Sequence, residues 1–175
     1  MKTILIGKSE LVPKREIVFP PCHGAGNAKI LASILSSTDE KLPAVLLDGD
    51  GAGQKMARDL QNGLYQAAKD RVFVTDKYLP FKESEIEDLI PFDFMVDAID
   101  RWERKTEIPF ADVAKPGAPI VPQIEKWAAS QSLQLTDGWK VSLSREVKRR
   151  ALANSSKIDA AAIALWKKVF EDLSP

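Results

Sequence analysis

Residues 44–53 read Ala-Val-Leu-Leu-Asp-Gly-Asp-Gly-Ala-Gly, and their reading decides the fold. An apolar run ends in two carboxylates, Asp48 and Asp50, separated by Gly49 alone; Gly51 and Gly53 then lead into a helical pattern. A strand over 44–48 puts its carboxyl end on the rim of a sheet. Residues i and i+2 of a strand share a face, so both acids are expected to point at one spot. Two carboxylates packed that closely repel and raise each other's pKa unless a cation lies between them. Oxygen-only ligands at a sheet rim suit a hard ion such as Mg²⁺. The competing reading is a turn whose acids cap the next helix and favour its N-terminal dipole.

Working outward, Glu16-Ile17-Val18-Phe19 is a short β-branched and aromatic run stopped by Pro20-Pro21. His23-Gly24-Ala25-Gly26 follows as a turn, and Ile30, Leu31, Ile34 and Leu35 recur at helical spacing over 27–37. Beyond the glycines, Met56, Leu60 and Leu64 predict a helix over 53–68, and Arg71-Val72-Phe73-Val74-Thr75 predicts a third strand. Strands alternating with helices, with nearly continuous apolar strands, imply a parallel sheet covered on both faces. Ligands in such sheets bind beyond the carboxyl ends of the strands, where Asp48 and Asp50 sit. Ser84-Glu85-Ile86-Glu87 has the form of a capping box, with Glu87 as its third helical residue. A helix is expected over Phe92–Trp102, a Pro- and Gly-containing loop over 106–119, and three helices after it. These are marked by Ile120/Ile124/Trp127/Ala128, by Leu143/Val147/Ala151 and by Ile158/Ala162/Leu165/Val169/Leu173, the last capped by Ser156 with Asp159. The expected architecture is an α/β unit over 1–105 followed by a helical C-terminal extension over 106–175.

The chain has 175 residues, 45% hydrophobic and 29% charged, a globular balance. Lys+Arg and Asp+Glu are equal at 25 each, so net charge does not advertise a nucleic-acid partner. The distribution does more: residues 83–100 hold seven acids and no base, whereas 138–175 hold eight bases and four acids. Arg145, Lys148, Arg149 and Arg150 form a compact basic run that could hold nucleic-acid phosphates. The single Cys22 excludes an internal disulfide and fits a reducing cytoplasm. With His23 as its only neighbour of ligating type, it does not make a zinc site. Trp102, Trp127, Trp139 and Trp166 fall in helical settings and are expected as core anchors rather than stacking platforms.

A calcium loop starting at Asp48 fails at two positions, with Ala52 at the fifth and Asp59 rather than Glu at the twelfth. A haloacid-dehalogenase-type phosphatase has Asp-x-Asp after a strand, but Ala52 stands where its threonine belongs. The segments 43–60 and 71–91 together resemble a Toprim domain, and more narrowly the Toprim part of the OLD (overcoming lysogenization defect) family of ATP-dependent nucleases. The matching features are the strand ending in Asp48-Gly49-Asp50, the helix and strand after it, and Glu85-Ile86-Glu87-Asp88-Leu89-Ile90-Pro91. Arg15-Glu16-Ile17-Val18-Phe19-Pro20 with the turn at His23–Gly26 extends the similarity upstream.

That resemblance implies a Toprim-like (Rossmann-like) sheet and metal-dependent phosphodiester cleavage. One or two Mg²⁺ or Mn²⁺ ions would be held by Asp48, Asp50 and Glu87, with Glu85 and Asp88 as neighbouring acids able to substitute. Lys140 would neutralise charge in the transition state, with Lys148 as second choice. It also implies DNA as substrate, an ATPase part in cis or trans, and a possible homodimer. Two features of the family have no counterpart in the sequence. Lys2-Thr3-Ile4-Leu5-Ile6-Gly7 has the flavour of the first Toprim strand but lacks its glutamate, and Glu10 comes too late. Gly7-Lys8-Ser9 lacks the upstream glycine of an ATP-binding loop. The chain is therefore expected to start after the first Toprim strand, and the alternative functions are a non-catalytic Toprim-like binding or assembly module and a haloacid-dehalogenase-like phosphatase with Asp48 as nucleophile.

Overall fold

The computed structural model describes residues 1–13, 16–20, 22, 24–36, 41–103 and 105–174. Two strands, β1 (Val45–Leu47) and β2 (Val72–Val74), pair in parallel with Leu46 opposite Phe73 and Leu47 opposite Val74. Seven α-helices are found among the described residues: α1 (Lys2–Gly7), α2 (Ala28–Ser36), α3 (Gly51–Asn62), α4 (Phe92–Trp102), α5 (Ile120–Ser130), α6 (Trp139–Ala153) and α7 (Ala160–Leu173). The chain is thus mixed α/β with a small parallel sheet. No helix among the described residues is long and apolar enough to cross a membrane.

The sheet is smaller than expected. Residues 16–19 form no strand, and Val18 and Phe19 are 68% and 58% exposed. Pro20 and Pro21 remove two successive ladder donors, which confines such a run to an edge at best. The segment is held instead by the Lys2 ammonium, which donates to the Ile17 carbonyl at 2.8 Å. His23 and Arg15 lie outside the described residues. The stretch 2–7 is helical rather than a strand: Ile4 and Leu5 fall on one side and pack with Trp166 and Phe170 of α7.

α3 begins two residues earlier than the periodicity predicts because Asp50 caps it, accepting the Gly53 N–H at 2.7 Å. α7 is capped by Asp159, whose Oδ1 accepts the Ala162 N–H at 2.6 Å; Ser156 lies before it in a 3-10 turn. The apolar core runs across residue 105. Met95, Val96 and Ile99 of α4 share one cluster with Ile124 and Trp127 of α5 and Leu143 of α6. Phe73 and Leu89 pack on Val169 of α7. Trp127 and Trp166 are buried anchors as expected, and each indole N–H reaches a carbonyl, Ile108 at 2.8 Å and Leu89 at 2.6 Å. Trp102 and Trp139 are half-buried, their rings 6.1 Å apart. The Trp166 bond matters for the site, because it ties α7 to the end of the acidic segment.

Candidate metal centre

β1 delivers Asp48 to the rim of the sheet, and the chain then turns through Gly49 into α3. Both glycines beside it are required by close approach, not by backbone sign. A Cβ on Gly49 would lie 2.5 Å from the Asp76 carboxyl carbon and closer still to its Oδ1. A Cβ on Gly53 would lie 2.9 Å from the carbonyl carbon of Asp48 and closer still to the oxygen. The parallel register explains the first contact: one step beyond Leu47 and Val74 stand Asp48 and Thr75, and one step further Gly49 and Asp76.

The second half of the site is the 3-10 turn Ile86–Leu89. It is entered through Glu83, a non-glycine residue at φ 58°, which belongs to the sparsely occupied left-handed region. Ser84 is fully buried. Its hydroxyl donates to Asp76 Oδ1 at 2.8 Å and its N–H to the same oxygen at 3.1 Å. Its carbonyl accepts the Gly49 N–H at 2.6 Å and the Thr75 hydroxyl at 2.6 Å. Ser84 therefore does not cap the turn; it clamps the turn to both strand ends. The cap sits one residue later. Asp88 Oδ2 accepts the Glu85 N–H at 2.7 Å, and Asp88 Oδ1 accepts the Ile120 N–H at 2.7 Å at the start of α5. Burial nevertheless leaves the Asp88 carboxyl above its ordinary range, outweighing those two bonds.

This shift of one residue releases Glu87 from the capping role that the sequence allowed it. Carboxylate oxygens of Asp48, Glu85 and Glu87 lie within 4.8 Å of one another, all three side chains half-buried. Asp48 Oδ1 also accepts the Ile86 N–H at 3.0 Å, which fixes the strand end against the turn. The Lys140 ammonium, from the first turn of α6, is bonded to Glu85 Oε2. Burial raises the pKa of Asp48, with Glu85 adding to it and the Ile86 N–H and Lys140 opposing. Burial raises Glu87 likewise, with Glu85 and Asp48 adding to it. Burial works against the Lys140 ammonium, yet its bond to Glu85 and the charges of Glu87 and Asp48 hold its pKa above the usual lysine value. Three acids thus share one lysine, a local excess of negative charge.

The donor set fits a hard divalent ion. All three ligands are oxygens, the preference of Mg²⁺ and Mn²⁺. Neighbouring ligands of an octahedral Mg²⁺ at about 2.0–2.1 Å stand roughly 2.9 Å apart and opposite ones roughly 4.2 Å, so the trio, within 4.8 Å of one another, would have to draw together to hold one ion.

Of the five acids expected as ligands, three converge: Asp48, Glu85 and Glu87. Asp50 and Asp88 stand outside the trio. Asp50 caps α3 and Asp88 holds two backbone N–H groups, so each has the task that helix and turn termini give to acids. Lys140 stands beside the trio, bonded to Glu85. In the basic run, Arg145 and Lys148 are exposed, and Arg149 is paired with Glu146 at 2.9 and 2.6 Å. Arg150 is a correction: it is 7% exposed, paired with Asp97, 5.8 Å from the Phe94 ring, and its Nε finds no hydrogen-bond partner among the described residues. A side chain so placed supports α4 against α6 and does not present itself to a phosphate. Asp76 has no place in the sequence-based expectations, and Ser84 enters them only as the opening residue of a capping box. The available signal was Asp76 two residues after β2, level with the glycine after β1. No protein-family model, no curated protein and no solved structure matches this chain.

Proposed function

We propose that the chain carries a divalent-metal site for phosphodiester cleavage, built on Asp48, Glu85 and Glu87, in the manner of the Toprim part of OLD-family nucleases. The observation that carries this reading is the convergence of three carboxylates from two distant segments, with a lysine beside them. Burying three acids together is costly unless positive charge is supplied, and one ammonium leaves that need partly unmet. Asp48, Glu85 and Glu87 would hold a Mg²⁺ or Mn²⁺ ion, which would supply Lewis acidity toward a phosphoryl oxygen and lower the pKa of a bound water.

The protein's own groups have distinct tasks. Asp48 is held by the Ile86 N–H, which donates to its Oδ1, beside the other two carboxylates. Glu87 is not the cap of the turn; its carboxylate takes a bond from its own N–H and stands with those of Asp48 and Glu85. Glu85 is shared with Lys140, whose charge lies where negative charge grows on a phosphate under attack. Arg145 and Lys148 lie further along α6, both exposed, and would serve the flanking phosphates of the substrate. DNA as the substrate, and an ATPase part acting with this one, belong to the same proposal.

A plasmid-nicking assay with Mg²⁺ or Mn²⁺, run beside calorimetric titration of Mn²⁺, tests it. Cleavage lost in Asp48→Ala and Glu87→Ala, with Mn²⁺ uptake lost in parallel, supports the reading. A wild-type chain that takes up no Mn²⁺ refutes it. A second reading has one observation of its own: the Lys140–Glu85 pair already joins α6 to the turn, as a purely structural lock would. Metal uptake without cleavage of any nucleic acid would favour that non-catalytic binding module.

A further inference from the structure

Beside the carboxylates lies a cavity of about 680 Å³ that the proposed chemistry leaves unexplained. Its floor is apolar and deeply buried, formed by Met95, Leu143 and Trp166. Glu87 and Lys140 belong both to its wall and to the metal centre. Its volume falls in the range of about 300–1,000 Å³ typical of small-molecule sites, and its make-up, an apolar body with a few charged groups, is theirs too. The charged groups on the wall are biased: Lys2, Lys140 and Lys148 against Glu87 alone. Such a wall selects an anion attached to an apolar or planar group.

We infer that this cavity receives an unstacked nucleobase while the adjoining phosphate lies at the carboxylates, so that the site takes single strands or frayed ends in preference to continuous duplex. This rests on the phosphodiester reading above and names its substrate class. Three observations favour a base over other anionic amphiphiles. The Phe94 ring lines the wall, and base–aromatic stacking tolerates every base. Thr3 and Ser144 also line it; the Ser144 hydroxyl donates to the Val141 carbonyl at 2.8 Å and keeps its lone pairs for a donor on a base edge, which an acyl chain lacks. The shared residues Glu87 and Lys140 place the apolar space directly beside the phosphate position, as a nucleotide requires. A base paired within a duplex cannot reach that space without leaving the stack.

The test uses the full chain and two variants that fill the mouth, Ser144→Trp and Leu152→Trp. Both positions line the cavity and are solvent-exposed, Leu152 by 50%, so the fold should survive; circular dichroism and Mn²⁺ titration check this. Binding is read by fluorescence anisotropy of a labelled oligothymidylate and of a blunt duplex, in Ca²⁺ and in EDTA. The expected result is tighter binding of the single strand by the wild type and about a tenfold loss of it in each filled variant, as for the removal of one stacked base. Equal binding of single strand and duplex, or no loss in either folded variant, would overturn the inference. So would displacement of the probe by palmitate and not by thymidine monophosphate, which would assign the cavity to an acyl chain. Failure of the metal reading shows separately, as absence of Mn²⁺ uptake by the wild type, and leaves the strand comparison to decide the cavity.

Discussion

The tightest contact in the site yields the sharpest prediction, the substitution Gly49→Ala. The added methyl carbon would stand 2.5 Å from Cγ of Asp76 and 3.1 Å from its Oδ2, with Oδ1 nearer still. Asp76 cannot turn aside freely. Its side chain is 5% exposed, and its Oδ1 holds the Ser84 hydroxyl at 2.8 Å and the Ser84 N–H at 3.1 Å. Those bonds hold its carboxyl below the usual aspartate range against the opposing effect of burial. Two costs follow. Overpacking of a filled site costs about 1–3 kcal/mol. Loss of a hydrogen bond to a charged acceptor costs about 1.5–3 kcal/mol if Asp76 swings away. The sum expected is about 2–5 kcal/mol, because one cost can partly replace the other. The same movement shifts Ser84, the residue before Glu85, so Mn²⁺ affinity should fall with stability. Urea denaturation at constant m gives the first quantity and calorimetry the second. In an Asp76→Ala background the added methyl has room, and Gly49→Ala should cost less than about 1 kcal/mol, a coupling that a double-mutant cycle isolates. A Gly49→Ala chain within about 0.5 kcal/mol of wild type, with unchanged Mn²⁺ uptake, would refute the clamp; so would additive costs in the cycle.

Asp50→Ala should remove a helix cap, costing about 0.5–2 kcal/mol, while Mn²⁺ uptake persists; loss of uptake equal to that of Asp48→Ala would restore Asp50 to the ligands. Glu87→Gln should raise the melting temperature of the metal-free chain at pH 7 but not near pH 4. The sign follows from burial, which raises the folded pKa of Glu87 above its unfolded value. The folded state then binds more protons, and stability is lost as pH rises from the unfolded to the folded pKa. An equal change at both pH values would count against it. Lys140→Met frees Glu85 from its internal cation. It should leave Mn²⁺ affinity equal or tighter while cleavage drops about 10²–10³-fold, the usual cost of one charge-stabilising donor; undiminished cleavage would remove Lys140 from the chemistry.

Much of the local structure was legible because it depends on neighbours in sequence. The helix over Phe92–Trp102 is found at its expected limits, since Pro91 starts it and its apolar spacing continues without a break. The two parallel strands follow from β-branched runs flanked by helices. Two readings failed where the same composition suits two outcomes. Residues 2–7 are apolar enough for a strand, and become α1 because α7 supplies an apolar partner for one side only. Residues 16–19 look like a strand, but the sheet ends at β1 and β2.

The sequence by itself determined that acids follow one strand and gather in a second segment 37 positions on, and that a lysine opens a later helix. It did not determine which acids meet. An acid near a helix or turn start can serve backbone N–H groups or a ligand, and adjacent positions compete on nearly equal terms. Only the tertiary structure decided that Asp50 and Asp88 serve the backbone and that Asp48, Glu85 and Glu87 converge. The physical reason is the buried hydroxyl of Ser84: drawn onto Asp76 and Thr75, it moves the cap one residue along and turns Glu87 toward the end of β1.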